Sequence, residues 1–240
     1  MSVYNDILSA KAQNKKLLAI LIDPDKFDVK TISQFTNNIN KSLISHIFVG
    51  GSTVKVEVTQ QLVLRLKPLT KLPIVLFPGD VTQISKDADA ILFLSLISGR
   101  NPKYLIEKQI EAVSILKPTN LEVIPTGYIL IENGKETTVQ KVTKTTPIGS
   151  KNNQLVADTA KAGELLGKKL IYLEAGSGAQ NPVPLKMINF VKQDLKIPLI
   201  VGGGIRSKKQ LVEAYNAGAD LVVIGTAFEQ NKDFFKELKL

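Results

Sequence analysis

Short, nearly uninterrupted apolar runs recur along this chain: "LLAILI" (17–22), "HIFVG" (46–50), "PIVLF" (73–77), "AILFLS" (90–95), "LEVIP" (121–125), "LIYLE" (170–174), "PLIVG" (198–202) and "LVVIG" (221–225). They do not alternate apolar with polar, so they read as strands buried on both faces, as in a parallel sheet covered by helices. Between most of them lie helical patterns: Val29–Ser42, Val54–Leu66, Pro102–Leu116, Gln154–Leu166, Pro184–Asp194 and Ser207–Ala217. Pro102 and Pro184 stand where a first helical turn tolerates proline. Eight such runs alternating with helices predict a (β/α)8 TIM barrel, an α/β fold, as one domain over residues 1–240. A doubly wound open sheet is the competing architecture and accounts less well for the count and spacing.

Two places depart from the repeat. Between the third and fourth runs only "PGDVTQISKDAD" is available, too short for a helix and two loops. After the fifth run the segment is long, and "YILIENGKETTVQKV" reads as a β-hairpin turning at Asn133-Gly134. An insertion there projects over the catalytic face of a barrel. The N-terminal "MSVYNDILSAKAQNKK" reads as a polar amphipathic helix and not as a signal peptide. No segment approaches the roughly 18 uncharged apolar residues of a membrane span.

Composition narrows the chemistry. With no cysteine and a single histidine, His46, neither disulfides nor thiolate or multi-histidine metal sites can form. A metal would need oxygen ligands, which favours a hard ion such as magnesium. The absence of cysteine fits a reducing, cytoplasmic location. The net charge of +9 comes from scattered lysines, with no basic-aromatic block, so no nucleic-acid partner is expected. A positive field still collects anionic small molecules, and peripheral contact with anionic membranes is compatible with it.

Barrel enzymes place their chemistry at the C-terminal ends of the strands. The first run ends "IDPDK", with Asp23, Asp25 and Lys26; the second ends "GGST", with Ser52 and Thr53. The sixth ends in Glu174 and "AGSG", the seventh in "GGGIRS" and the eighth in "GTAF". Glycines let backbone amides approach an anion, and loops after the last two strands commonly bind phosphate in this fold. The pair "GGGIRS" and "GTAF" therefore reads as a monophosphate cup, with Ser207 capping the next helix. Asp23 either opens an Asp-Pro turn or, with a neighbouring hydroxyl, holds magnesium. His46 starts its strand and faces away from the catalytic end. Arg100 is either a diphosphate ligand or part of a helix cap. Tyr104 and Tyr128 line an apolar groove or pack the core.

Together "LLAILIDPDK", "FVGGST", "PIVLFPGD", "FLSLISGRNPKYLI", "IPTGYILIENG", "YLEAGSGAQNPVP", "LIVGGGIRS" and "AGADLVVIGTAFE" resemble the geranylgeranylglyceryl phosphate synthases, over Leu17 to Glu229. "TGYILIENG" and "RNPKYL" look like the larger archaeal-type branch, found also in some bacteria. The resemblance implies a magnesium-dependent prenyltransferase of ether phospholipid biosynthesis. It would join the 3-hydroxyl of sn-glycerol 1-phosphate to a geranylgeranyl or similar polyprenyl chain, releasing diphosphate. It implies Asp23 and Ser52 as metal ligands and Glu174 as general base. It also implies a glycerol phosphate site formed by Tyr172, Leu173, Glu174, Ala175, Gly176, Ser177 and Gly178 with Gly203, Gly204, Gly225 and Thr226. Tyr104, with Tyr128, would serve the prenyl groove or subunit contact in a homo-oligomer, a dimer or hexamer.

Competing functions lack their residues. A phosphosugar isomerase needs a second acid, yet the fifth run ends Pro125-Thr126. A Schiff-base aldolase needs a lysine at a strand tip. A flavin barrel would share the phosphate loops. A non-catalytic phosphate-binding scaffold would not need Glu174.

Overall fold

The computed structural model describes residues 2–225. Eight parallel strands close into a barrel in sequence order: β1 Leu17–Ile22, β2 His46–Val49, β3 Ile74–Leu76, β4 Ala90–Leu96, β5 Glu122–Leu130, β6 Leu170–Glu174, β7 Leu199–Gly202 and β8 Leu221–Ile224. Around them run α2 Ile32–Ile39, α3 Val58–Leu66, α4 Lys108–Leu116, α5 Thr138–Thr143, α6 Asn153–Leu165, α7 Leu185–Asp194 and α8 Lys208–Ala217, with α1 Val3–Ala12 preceding the barrel.

The unbroken apolar runs follow from two separate cores. Leu18, Ile20, Ile47, Leu76, Ile129, Ile171, Leu173 and Val201 face outward into the layer between strands and helices. Their chain neighbours Leu17, Ala19, Phe48, Val75, Tyr128, Tyr172 and Ile200 face the barrel interior. Because side chains alternate along a strand, a residue's position in its run decides which core it enters. Tyr128 pairs with Tyr172 across β5 and β6, so both rings enter the barrel at the same level.

The helix α1 plugs the end opposite the catalytic face. Val3, Ile7 and Ala10 join the interior core. Glu122, at the start of β5, accepts from the Ser2 hydroxyl at 2.6 Å and the Val3 and Tyr4 N–H groups at 2.6 and 3.1 Å. A carboxylate on a helix N-terminus meets free N–H groups and a favourable dipole. Glu122→Ala is expected to lower unfolding stability by about 1–2 kcal/mol in urea titration. Unchanged stability would show the plug is held by apolar packing alone. His46 is buried at this same end, its Nδ1 2.8 Å from the Ser45 hydroxyl, and burial lowers its pKa to about 4. It serves structure, far from the strand tips.

The connection between β3 and β4 is a single 3₁₀ turn, Val81–Gln83, as its length requires. The predicted hairpin after β5 does not form. "YIL" instead prolongs β5 to Leu130, one edge paired to β6 and the other to β4 as far as Tyr128 and then bridged in parallel by Ile148, so no edge is left for an antiparallel arm. Asn133 is buried, its amide donating to the Ala175 carbonyl while its oxygen accepts from Lys135 N at 3.3 Å. The presumed second arm is α5, opened by a capping box in which Thr137 and Gln140 exchange side-chain and backbone bonds. Thr-x-x-Gln just before an apolar position was the overlooked signal. Two other helices start later than their patterns suggest. A π-helical turn, Lys103–Glu107, precedes α4, and Glu57, left-handed at φ 70°, delays α3.

Candidate active site

Two adjoining cavities open at the C-terminal ends of the strands. The polar one, about 1300 Å³ with its mouth, is lined by Asp23, Ser52, Glu174, Gly176, Gly203 and Arg206, among others. The apolar one, about 880 Å³, runs between β3, β4 and α4 and is lined by Ile84, Ile91, Phe93, Leu94, Ala112 and Val142, among others.

The polar cavity gathers most of the residues singled out from sequence. Tyr172, Glu174, Gly176, Ser177, Gly178, Gly203, Gly204 and Gly225 line it together with Asp23 and Ser52. Leu173 and Ala175 do not line it: strand alternation turns their side chains outward into the core beneath the helices. Thr226 lies outside the described residues. Tyr128 lines both cavities, whereas Tyr104 lines the apolar one, its hydroxyl donating to Val142 O at 3.2 Å. Arg100 lines neither cavity. Its Nη1 donates to the carbonyl of Gly99 at 2.7 Å, in its own loop.

Glu174 ends β6 beside Gly202 of β7 and is 5% exposed. Its Oε1 accepts from Gly176 N at 2.6 Å. Burial raises its pKa to about 7, opposed by that N–H and by the neighbouring Tyr172 hydroxyl. The Tyr172 hydroxyl itself is buried without a well-formed hydrogen bond. Burial first, and the Glu174 charge second, hold both the Tyr128 and Tyr172 phenols well above their ordinary range. A buried carboxylate poised near neutrality, at the wall of an anion-sized cavity, can accept a proton from a hydroxyl beside it.

The glycine walls are shaped by close approach. Gly203 and Gly204 take φ of +84° and +73°, and Gly176 takes +100°. A methyl at Gly203 would run into the Glu174 carboxylate and the N–H groups of Ala175 and Gly176. Without side chains, these glycines let an anion approach the backbone N–H groups of both loops closely. Ser207 caps α8, its hydroxyl accepting from Gln210 N at 3.2 Å.

At the other wall, Asp23 ends β1 with Oδ2 2.6 Å from Lys26 Nζ. Its Oδ1 accepts from Asp25 N at 3.2 Å, which is the turn expected of Asp-Pro. Asp25 is engaged elsewhere, accepting from Lys55 N at 3.1 Å. At this wall Asp23 offers a carboxylate and Ser52 a hydroxyl, oxygen donors that suit magnesium completed by ligand oxygens and water. Among the described residues no group of three or more His, Asp or Glu side chains forms a metal cage.

Sequence reasoning missed Gln83. Only 1% exposed, it donates to Gly51 O at 2.8 Å and accepts from the N–H groups of Gly51 and Gly79, both at 3.3 Å. It thereby ties the tips of β2 and β3 beside Ser52. No pattern marked it, because its partners are backbone atoms distant in the chain. Gln83→Leu, leaving three backbone groups unpaired, is expected to cost about 2–3 kcal/mol of stability and to weaken binding of inorganic phosphate in the polar cavity. Wild-type stability and phosphate binding in the variant would show the loops hold themselves. Val139, which lines both cavities, was also missed, since it reads as an ordinary apolar residue, whereas Phe77, an apolar strand end suited to flanking a lipid-tail groove, does line both.

Comparison with known proteins places this geometry. A family model described as the PcrB family matches residues 10–239. A geranylgeranylglyceryl phosphate synthase of Flavobacterium johnsoniae is 58% identical over 98% of this chain and 96% of its own length. One from Thermococcus gammatolerans is 42% identical over 92% of this chain and 87% of its own. The crystal structure of (S)-3-O-geranylgeranylglyceryl phosphate synthase from Thermoplasma acidophilum, in complex with substrate sn-glycerol-1-phosphate, superposes with a TM-score of 0.92. It is 32% identical, covering 99% of this chain and 96% of that one.

Proposed function

The chain belongs to the PcrB family, and from that premise we propose that it joins the 3-hydroxyl of sn-glycerol 1-phosphate to a geranylgeranyl group. The reaction forms an ether and releases diphosphate. The observation that carries this reading is the placement of Glu174: buried in the wall of the polar cavity, with an apolar cavity adjoining it. Glycerol phosphate fits the polar side, its phosphate against Gly176–Gly178, Gly203, Gly204 and Gly225 and its hydroxyl toward Glu174. A C20 tail fits the apolar side, where Tyr104 is part of the wall.

The reacting residues divide the work. Glu174 accepts the proton of the attacking hydroxyl, which makes the oxygen nucleophilic as the new bond forms. The glycine N–H groups fix the phosphate, so that a three-carbon acceptor holds its far hydroxyl at a set distance. Asp23 and Ser52 would hold magnesium, which supplies neutralisation of the departing diphosphate's charge. The apolar walls of Ile84, Ile91 and Phe93 would cover the hydrocarbon tail.

Homo-oligomers, dimers or hexamers, belong to the same reading. They are supported by the exposed stripe Ile106, Ile110 and Val113 on and before α4, an apolar face suited to a second copy. Light scattering that returned only the monomer mass would remove that part.

The decisive assay supplies magnesium, sn-glycerol 1-phosphate and radiolabelled polyprenyl diphosphates of several lengths, and follows label into a phosphate-bearing ether lipid. Product with geranylgeranyl diphosphate is expected, and less with the sn-glycerol 3-phosphate enantiomer. No ether at any chain length would overturn the proposal.

A further inference from the structure

The two cavities share five lining residues: Gly51, Ser52, Phe77, Tyr128 and Val139. If the proposed function holds, as this inference requires, the diphosphate lies on the polar side and the hydrocarbon on the apolar side. The carbon joining them, which is the reacting allylic carbon, then lies at this shared boundary. Of the five residues there, only Phe77 and Tyr128 carry π systems.

Those two rings belong to a tight group. Phe77 stacks on Tyr172 with centroids 5.2 Å apart and planes 8° from parallel. Tyr128 tilts against both, 5.9 Å from Phe77 and 5.4 Å from Tyr172. The arrangement follows from register: Tyr128 and Tyr172 are paired neighbours on β5 and β6, and Phe77 follows the last residue of β3. Ring faces are electron-rich and attract cations, most strongly where water is excluded. Tyr172 is fully buried and Tyr128 is 5% exposed, so water is largely excluded here.

We infer that Phe77 and Tyr128 are catalytic residues that stabilise the allylic cation as it develops. In the step, the bond from the allylic carbon to the diphosphate oxygen breaks, and its electron pair leaves with that oxygen. Positive charge is shared between the two end carbons of the allyl unit, against the two rings. The glycerol 3-hydroxyl oxygen then bonds to the terminal carbon, and its proton passes to Glu174. The rings act only on the charged species, so they lower the barrier without tightening ground-state binding. Both phenol and phenyl serve, because neither ring has to accept or donate a proton.

The test replaces Phe77 with mono-, di- and trifluorinated phenylalanine, which drain the ring's negative face while nearly preserving its size. A fall in log kcat in proportion to fluorine count is expected, with KM for geranylgeranyl diphosphate little changed. Phe77→Leu should fall about 30-fold in kcat. Equal kcat across the fluorinated series would overturn the inference, because a ring that only packs is indifferent to its quadrupole. The wild-type protein in the same assay separates the two questions. Failure of the wild type to make any ether counts against the function itself, whereas an active wild type with a flat series counts against the rings alone.

Discussion

Glu174→Gln is expected to slow turnover about 1000-fold and, at the same time, to make the unliganded protein more stable at pH 8. The first effect follows from removing the group proposed to accept the hydroxyl proton, a contribution of roughly 100- to 10,000-fold in proton-transfer catalysis. The amide oxygen can still accept from Gly176 N, so the loop should stay in place. The second effect follows from linkage. Burial raises the Glu174 pKa from 4.5 to about 7, so the folded protein prefers the protonated acid while the unfolded chain does not. Stability contributed by that preference is complete below pH 4.5 and is lost as pH rises through about 7. Above neutrality the fold must carry a buried charge at a cost of about 3 kcal/mol, which glutamine does not incur.

Urea titrations of both proteins at several pH values read this directly. The stability gap should be largest at pH 8, shrink through neutrality and vanish near pH 4.5. A constant gap would show that the carboxyl is not strained by burial. The same titration governs activity. For the wild type, kcat/KM should rise about tenfold per pH unit below pH 7 and flatten above it. A catalytic base held at a cost to stability is a common signature of function. Turnover within tenfold of wild type in Glu174→Gln would assign the proton to another group.

Gly203→Ala is the second large effect, and here backbone, not acid strength, is at fault. At φ +84° an alanine is strained by roughly 1–2 kcal/mol, and its methyl has nowhere to go. It meets the Glu174 carboxylate on one side and the N–H groups of Ala175 and Gly176 on the other. Relief must come from moving the end of β6 away from the end of β7, where both border the polar cavity. Misplacing a reacting group by an ångström costs about 100-fold in rate, and overpacking adds about 1–3 kcal/mol of instability. Gly225→Ala makes the instructive comparison. Its added methyl would find its nearest neighbours in Leu21, at 3.7 Å, so the fold should be unharmed. That methyl enters the cavity, however, and should raise KM for glycerol 1-phosphate. Thermal melting with initial-rate kinetics separates the two, and a Gly203→Ala protein with normal melting and kcat would refute the steric account.

The register of the barrel explains how much of this was readable in advance. The sequence determined the eight strands, their closure in order and the face that carries chemistry. Doubly buried parallel strands must be apolar without alternation, and that pattern is local. It also marked Glu174, Asp23, Ser52 and the glycine pairs, because acids, hydroxyls and glycines at strand tips are conspicuous against apolar runs. What it could not mark is anything decided by pairing across strands. Leu173 and Ala175 flank Glu174 in the chain yet face away from it, since alternation turns them into the outer core. "YILIENGKETTVQKV" has the local look of a hairpin, but β6 holds one edge of its opening strand while β4 and then Ile148 hold the other. Gln83 carries no signal because two of its three bonds go to backbone atoms of Gly51, 32 residues away and brought near only by the fold. Phe77, Tyr128 and Tyr172 come from three separate strand ends, and their contact is a property of the closed interior alone. Local patterning determined which residues are strands and which are chemically conspicuous. The tertiary structure decided which side chains meet, because contact across a barrel depends on register and closure, which no single segment encodes.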